Sequence, residues 1–522
     1  FSTHSVLSLA MSGPFDLPLP VLTDAYKLTH YSLYPEASEL SAYAEFRASF
    51  NKDEDDHRIV FHGIRYIIEN YVSKRWTTDD LDKLRLFAST FNVGNTPYPF
   101  PLDLFEKFIA ENDGYFPVKI EALPEGSVVY PHVPVLQIVA KDEYSSLVTF
   151  LETVLTMVWY PSTVATLSRK AKTIIKKYFD ETVDPENFFL LNSRLHDFGF
   201  RGCTSLEQAI IGGTSHLLNF EGTDTLAAAY YAQFHLNNGK PVATSIPATE
   251  HSVMTSYPTE YEAIAKSLEV YGSGMVSIVM DSYDYANALF NILPSLAKIK
   301  TDKGGILVIR PDSGDQVDTV MMGLDATASI FGTTTNSKGY KVVNGCSIIQ
   351  GDGVSLDSLY KILTSVKKAG YSIENIAFGM GGGLIQKVNR DTMSFATKLS
   401  MIVYKDGTKK DIMKFPKTDS QKTSLPGSLC VFSDTEGGIP KVYPKYLSNQ
   451  DKKISIDYSK RTNMLITVYD HGPVPGHSWS NFDQIRERLE QQWENLPLKA
   501  NVISKELETA RNEVLKTLKS SV

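Results

Sequence analysis

The sequence predicts an α/β protein: an irregular α/β barrel joined to a second α+β domain that both chain ends build. Three observations predict it. Short apolar, β-branched runs in the middle of the chain end in Gly, Asp or Pro and lead into helical patterns, the grammar of parallel βα units. Several such units follow one another between residues 190 and 390, which suits a ring better than a short open sheet. The first 150 residues and the last 120 instead mix helices with short strand-like runs and prolines.

Within the barrel region the strands read most clearly at Met275–Met280, Gly304–Arg310, Cys346–Gln350 and Ile373–Phe378, with another ending just before residue 200. Between them, Ser205–Asn219, Tyr283–Leu296 and Ser355–Ala369 place apolar residues at three- and four-residue steps, as an amphipathic helix does. Outside it, Lys119–Leu123 and Val135–Ala140 read as strands and Phe482–Leu496 as a charged amphipathic helix. Asn336–Gly339 and Asp406–Lys410 read as exposed turns. The expected division gives residues 11–165 and 396–522 to the α+β domain and 166–395 to the barrel. Met11 is the expected initiator, and residues 1–10 are set aside as an extension.

Composition narrows the class. Of 522 residues, 42% are apolar and 21% charged, so a large core can be buried, and the net charge of −8 argues against nucleic acid as partner. Cys203, Cys346 and Cys430 lie far apart with no CxxC pair. That excludes a disulfide framework or zinc-ribbon pattern and suits a reducing, cytoplasmic setting. No apolar run approaches the roughly 20 residues of a membrane helix, and the opening residues lack the basic start of a signal peptide.

In a βα barrel, chemistry collects at the carboxyl ends of the strands. Those ends carry His196–Gly202, Gly222–Asp224, Ser245–Ser252 (SIPATEHS), Asp281–Asp284, Arg310–Gly314, Gln350–Gly353 and Phe378–Gly383. A single Asp after a strand is more often a helix cap, and a glycine run a flexible turn. So many together point to a phosphate-and-metal site. Gly382 and Gly383 ahead of a helix, and Gly351 with Asp352, allow main chain to approach a phosphate. Asp281 and Asp312 suit ribose hydroxyls or Mg²⁺, which prefers oxygen ligands. Arg390, Lys398, Lys414 and Lys422, with Arg47 from the N-terminal part, suit a polyphosphate, although a solvated basic face is the plainer reading of each lysine. His251 beside Glu250 is a titratable ring at a strand end.

With these residues in view, the chain resembles the nicotinamide phosphoribosyltransferases from Leu22 to Pro426. The motifs that carry the resemblance are TDAYKLTHY (23–31), WYPSTVAT (159–166), LHDFGFRG (195–202), NFEGTDT (219–225), SIPATEHS, DSYD, IRPDSG, NSKGYK (336–341), IQGDG, SIENIAFGMGGGLIQK (372–387) and Arg390-Asp391. The resemblance implies a type II phosphoribosyltransferase fold and a homodimer with shared active sites. It implies transfer of phosphoribosyl from 5-phosphoribosyl 1-pyrophosphate to nicotinamide, giving nicotinamide mononucleotide and pyrophosphate for NAD salvage. Mg²⁺ and coupled ATP hydrolysis through phosphorylated His251 are implied too, with Glu250 expected to orient the ring.

By the same motif match, Phe198 and the other subunit's Tyr26 sandwich the pyridine ring. Asp224 accepts from the carboxamide NH₂, Arg310 donates to its oxygen, and Ser277 assists. Ser245 belongs to this substrate-binding set, and Arg201 lies beside the ring and phosphates. Gly351, Gly382, Gly383 and Arg390 hold the 5′-phosphate, and Asp312 the ribose. Arg47, Lys398, Lys414 and Lys422 face the pyrophosphate or ATP. The chain departs from the family pattern at Ser193, Thr244, Thr249, Met380 and the less basic TSLPGS after Lys422, which bears on tunnel shape and ATP affinity. The alternatives are a nicotinate phosphoribosyltransferase of the same fold and a non-catalytic binding or signalling homologue. Asp224 opposes the first, because a carboxylate repels an acid substrate; an intact site opposes the second.

Overall fold

A computed structural model describes residues 17–416, 418, 422–433, 438–445, 447–449, 452–454 and 461–520. The expected extension and initiator, residues 1–11, lie outside these. No helix among the described residues is long and apolar enough to cross a membrane.

Five parallel strands form the barrel wall, in the spatial order Leu195–Asp197, Ile376–Met380, Cys346–Gln350, Ile306–Arg310 and Met275–Val279. Single bridges finish the circle: Asp197 pairs with Thr223, Gly222 with Thr244, and Ala248 with Ser277. The ring is therefore closed but irregular, two of its staves being only a residue or two of extended chain. His216 supports this weak side from behind. Its Nε2 lies 3.1 Å from both Leu195 O and Gly222 O, and its Nδ1 lies 2.9 Å from Ser168 Oγ. Buried in this way, the imidazole is pushed down to about 4, burial outweighing the two carbonyls that favour the charged form.

Local chemistry explains the helices between. Leu356–Lys368 starts at Ser355, whose hydroxyl accepts from the Ser358 N–H, and buries Leu359, Ile362, Leu363 and Val366. The helix expected over Tyr283–Leu296 is split. A π turn at Ala288–Ile292 precedes Leu293–Lys303, where Pro294 has no N–H to continue the regular ladder. The expected strand Ile373–Phe378 begins later, at Ile376. A 3₁₀ turn at Ile373–Asn375 precedes it, and Asn375 Oδ1 accepts the Val343 N–H there.

The second body is a six-stranded antiparallel sheet in the order Lys409–Asp411, Phe395–Tyr404, Ala37–Phe46, Pro134–Lys141, Lys119–Ala122 and Ile466–Asp470. Both chain ends thus enter one sheet. The division expected after residue 165 falls inside a continuous helix, Trp159–Thr182, which serves both bodies. Ser162 and Thr166 bond the backbone of His62 and Val60, while Tyr178 reaches Thr364 on the barrel side. The helix Phe482–Asn495, the last but one among the described residues, seats Trp493 against this helix, with the guanidinium carbons of Arg58 and Arg169 4.1 and 5.5 Å from its ring.

Candidate active site

A cavity of about 380 Å³ runs inside the barrel from the carboxyl ends of the strands toward their amino ends. Phe198, Asp224, Ser245, Ser277 and Arg310 all line it. Phe198 packs on Val308, Ile349 and Ala377, with Ile246 alongside. Two glycines make room for its ring. A Cβ at Gly379 would lie 2.0 Å from Phe198 Cε2, and one at Gly351 2.9 Å from the same atom. The glycine at 351, expected to approach phosphate, therefore has a packing reason as well.

Asp224 does not cap a helix. Helix Leu226–Tyr231 begins at Thr225, and the Asp224 carboxylate instead accepts the Ser245 hydroxyl at 2.5 Å. That bond uses one oxygen and fixes the other toward the cavity. Arg310 brings a buried Nε for which the described residues supply no acceptor. A site that sets a fixed carboxylate acceptor beside a guanidinium donor is matched to a planar amide. Ser193 and Thr244 also line the cavity, whereas Met380 is buried in the main core instead.

His251 begins a short helix, His251–Thr255, at the mouth. Its Nε2 lies 3.1 Å from Asp281 Oδ1 and its Nδ1 3.8 Å from Asp312 Oδ2. The other oxygen of Asp281 accepts the Asp312 N–H at 2.9 Å and Ser313 Oγ at 2.5 Å. Burial raises the Asp281 carboxyl, but these bonds and His251 outweigh it and hold the group below the ordinary carboxylate range. Glu250 differs from expectation. Its carboxylate accepts the Ser252 hydroxyl, so the carboxylates beside the imidazole are Asp281 and Asp312. A side chain at the N-cap points away from its successor's face, which is why sequence adjacency misleads here.

The phosphate candidates are spread around this mouth. Gly382 and Gly383 open a helix of only four residues, so the dipole expected of a longer one is small and backbone N–H groups are what the turn offers. Asp352 is held by backbone alone, its N–H donating to Gln350 and its carbonyl accepting from Gln316. Arg201 and Arg390 are exposed near these turns, the latter 3.7 Å from Asp391. Arg47, Lys398 and Lys414 gather on the antiparallel sheet, where burial and the Arg47 charge lower the Lys398 ammonium. Lys422 is exposed beyond them. Tyr26 is 54% exposed on the 3₁₀ stretch Ala25–Ser32 and does not line the cavity that holds Phe198.

Sequence reasoning placed His196 and Ser313 in strand-end segments without giving either a role, and passed over Arg194. His196 is buried against Gly222 and lines the cavity; burial lowers its imidazole and the Asp224 charge opposes that. Arg194 lines the same cavity with a buried Nε that has no partner among the described residues. Their signal was position: His196 is on the short strand Leu195–Asp197, and Arg194 immediately precedes it.

Residues 193–456 match the nicotinate phosphoribosyltransferase family model, and residues 19–120 match the N-terminal domain of nicotinamide phosphoribosyltransferase. A nicotinamide phosphoribosyltransferase of Xanthomonas campestris is 38% identical, covering 87% of this chain and 94% of that protein. One from Acinetobacter baylyi is 32% identical over 90% and 97%. Among solved structures, human nicotinic acid phosphoribosyltransferase matches with a TM-score of 0.62 at 17% identity, over 95% of this chain and all of the other. A nicotinate-nucleotide pyrophosphorylase from Pyrococcus furiosus matches with a TM-score of 0.60 at 15% identity, over 94% and 100%. At such identities the structural likeness speaks for the fold.

Proposed function

Because this chain belongs to the nicotinamide phosphoribosyltransferase family, we propose that the barrel cavity reads the carboxamide of nicotinamide while the mouth couples the transfer to ATP. The enzyme moves a phosphoribosyl group to nicotinamide in NAD salvage. The observation that carries the cavity assignment is that Phe198, Asp224, Arg310 and Ser277 line one space. Phe198 offers a ring face for stacking. Asp224, steadied by Ser245, accepts from the amide NH₂, and the unspent Arg310 donor meets the amide oxygen. Tyr26 closes the ring from a second subunit in this reading, supported by its exposure and its absence from the cavity wall.

The pyridine nitrogen has no proton to lose when it attacks the anomeric carbon of 5-phosphoribosyl 1-pyrophosphate, so no general base is required. Positioning and charge do the work instead. Asp312 faces the developing positive ribose, and Arg47, Lys398 and Lys414 neutralise the departing pyrophosphate. Arg201, Arg390 and Lys422 extend that cationic rim, and the turns at Gly351–Asp352 and Gly382–Gly383 take the 5′-phosphate through backbone N–H groups.

At His251, Nε2–H donating to Asp281 leaves the lone pair on Nδ1, the nucleophile toward the γ-phosphate of ATP. Asp312 stands 3.8 Å from that nitrogen, where its charge would repel a phosphate. Mg²⁺ fits there. Such an ion is held largely by phosphate oxygens and water. Asp312 has an oxygen to offer it; both oxygens of Asp281 are engaged. Bound Mg²⁺ would neutralise charge between carboxylate and phosphate. Free Cys203, Cys346 and Cys430 suit the reducing cytoplasm in which such an enzyme would act.

The test is a product assay with nicotinamide and nicotinic acid side by side, with and without ATP. Nicotinamide mononucleotide formation stimulated by ATP is expected; preference for the acid would overturn the amide reading. For the shared site, Tyr26→Ala and Asp312→Ala, each inactive, should regain activity when mixed. No recovery after verified subunit exchange would sink it.

A further inference from the structure

The helices Trp159–Thr182 and Phe482–Asn495 line a cavity of about 400 Å³. The cations Arg58, Arg169, Lys172, Lys176 and Lys177 outnumber the carboxylates Asp180, Glu181 and Glu494 on its wall. It is separate from the cavity that holds Phe198, sharing no lining residue with it. Most of these cations have partners. Arg169 bonds Glu490 and lies 3.3 Å from Glu494, Arg58 is bidentate on Asp56, and Lys176 lies 3.1 Å from Asp180. The Arg169 pairs join the two helices, whereas Arg58–Asp56 and Lys176–Asp180 are local pairs.

Lys172 is different. Its side chain is 13% exposed, its Nζ lies 3.3 Å from Asn192 Oδ1 and 5.9 Å from the Phe220 ring, and its nearest carboxylate oxygen, on Glu490, is 3.8 Å away. That same Glu490 oxygen is bonded by Arg169. Facing Lys172 are also Arg486 from the helix Phe482–Asn495 and Glu221 from the barrel. A largely desolvated ammonium that must share its counter-ion with an arginine is poorly stabilised.

We propose that Lys172 is an acylation site, taking the acyl group of a small acyl phosphate drawn into the cavity by Lys177. The neutral amine nitrogen attacks the carbonyl carbon and forms a C–N bond. The carbon–oxygen bond to phosphate breaks, phosphate leaves with the electron pair, and the nitrogen loses a proton to water, leaving an amide. Burial, assisted by the Arg169 and Arg486 charges against Glu490, brings the ammonium down to about 8. Its neutral share near neutral pH is then far larger than that of an ordinary lysine, of which about one part in a thousand is neutral at about pH 7.5. The exposed Lys177, with no ion pair of its own among the described residues, supplies attraction for the anionic donor.

The full-length protein is incubated briefly with acetyl phosphate between pH 6.5 and 9, digested, and each lysine quantified by mass spectrometry. Lys172 is expected to react at least about tenfold faster than Lys298, whose side chain is 84% exposed. Its rate should level off above pH 8 while that of Lys298 keeps rising. Lys177→Ala should slow acetyl phosphate several-fold yet leave a neutral acetylating ester unaffected. Lys172 reacting no faster than Lys298 would overturn the site, and equal sensitivity of both reagents to Lys177→Ala would overturn recruitment of an anionic donor.

Discussion

His251 Nε2 lies 3.1 Å from Asp281 Oδ1, and the second oxygen of that carboxylate is tied to the Asp312 N–H and the Ser313 hydroxyl. One buried acid therefore fixes both the ring and the loop that carries the other acid. His251→Ala should abolish ATP hydrolysis and ATP stimulation while slow transfer persists. Asp281→Asn should keep the fold but cut phosphorylation of His251 by about 10- to 100-fold, the size of effect expected when an orienting partner is lost. Radiolabel from γ-labelled ATP on the protein measures it; full labelling of either variant would remove His251 or its orienting acid from the scheme.

Asp224 offers one oxygen to the cavity because Ser245 holds the other at 2.5 Å. Asp224→Asn removes the charge that rejects an acid. The ratio of kcat/KM for nicotinic acid over nicotinamide should rise by at least about tenfold. An unchanged ratio would show that this carboxylate does not read the amide.

Gly379 has no space for a side chain: a Cβ would stand 2.0 and 2.1 Å from Phe198 Cε2 and Cδ2. Gly379→Ala must tilt the Phe198 ring or push the strand apart, at a stability cost of about 1–3 kcal/mol. KM for nicotinamide should rise by about tenfold or more, with a smaller effect on KM for 5-phosphoribosyl 1-pyrophosphate. Equal effects on both constants would mean general damage rather than a displaced stacking face.

His216 provides a pH signature. Its folded value of about 4 lies below the ordinary histidine value, so the unfolded chain takes up a proton first as pH falls. The stability it contributes is present above about pH 6.5 and is lost between there and about pH 4, in total about 3 kcal/mol. Asp197, pushed up to about 6 by burial, acts with the opposite sign in an overlapping window. Wild type must therefore be compared with His216→Gln: the difference in denaturant-derived stability should shrink as pH falls through that range. A constant difference would contradict a buried neutral ring bridging Leu195 and Gly222.

By itself the sequence determined the parallel strands and most of the site's residue list. Strands such as Ile306–Arg310 and Cys346–Gln350 bury consecutive residues on both faces at their centres, so they appear as short apolar, β-branched runs, and local order is enough to reveal them. His251, Asp281, Asp312 and Asp224 stood out because each follows a strand. Tertiary structure alone decided how they pair. The ring closes through one-residue bridges that leave no periodicity, and the carboxylate beside His251 comes from 30 residues away rather than from Glu250 next door. Strand Ala37–Phe46 meets Phe395–Tyr404 across most of the chain, and Gly379 yields to a ring at 198. Such contacts depend on where packing brings distant backbone together, and no short window of residues encodes that distance.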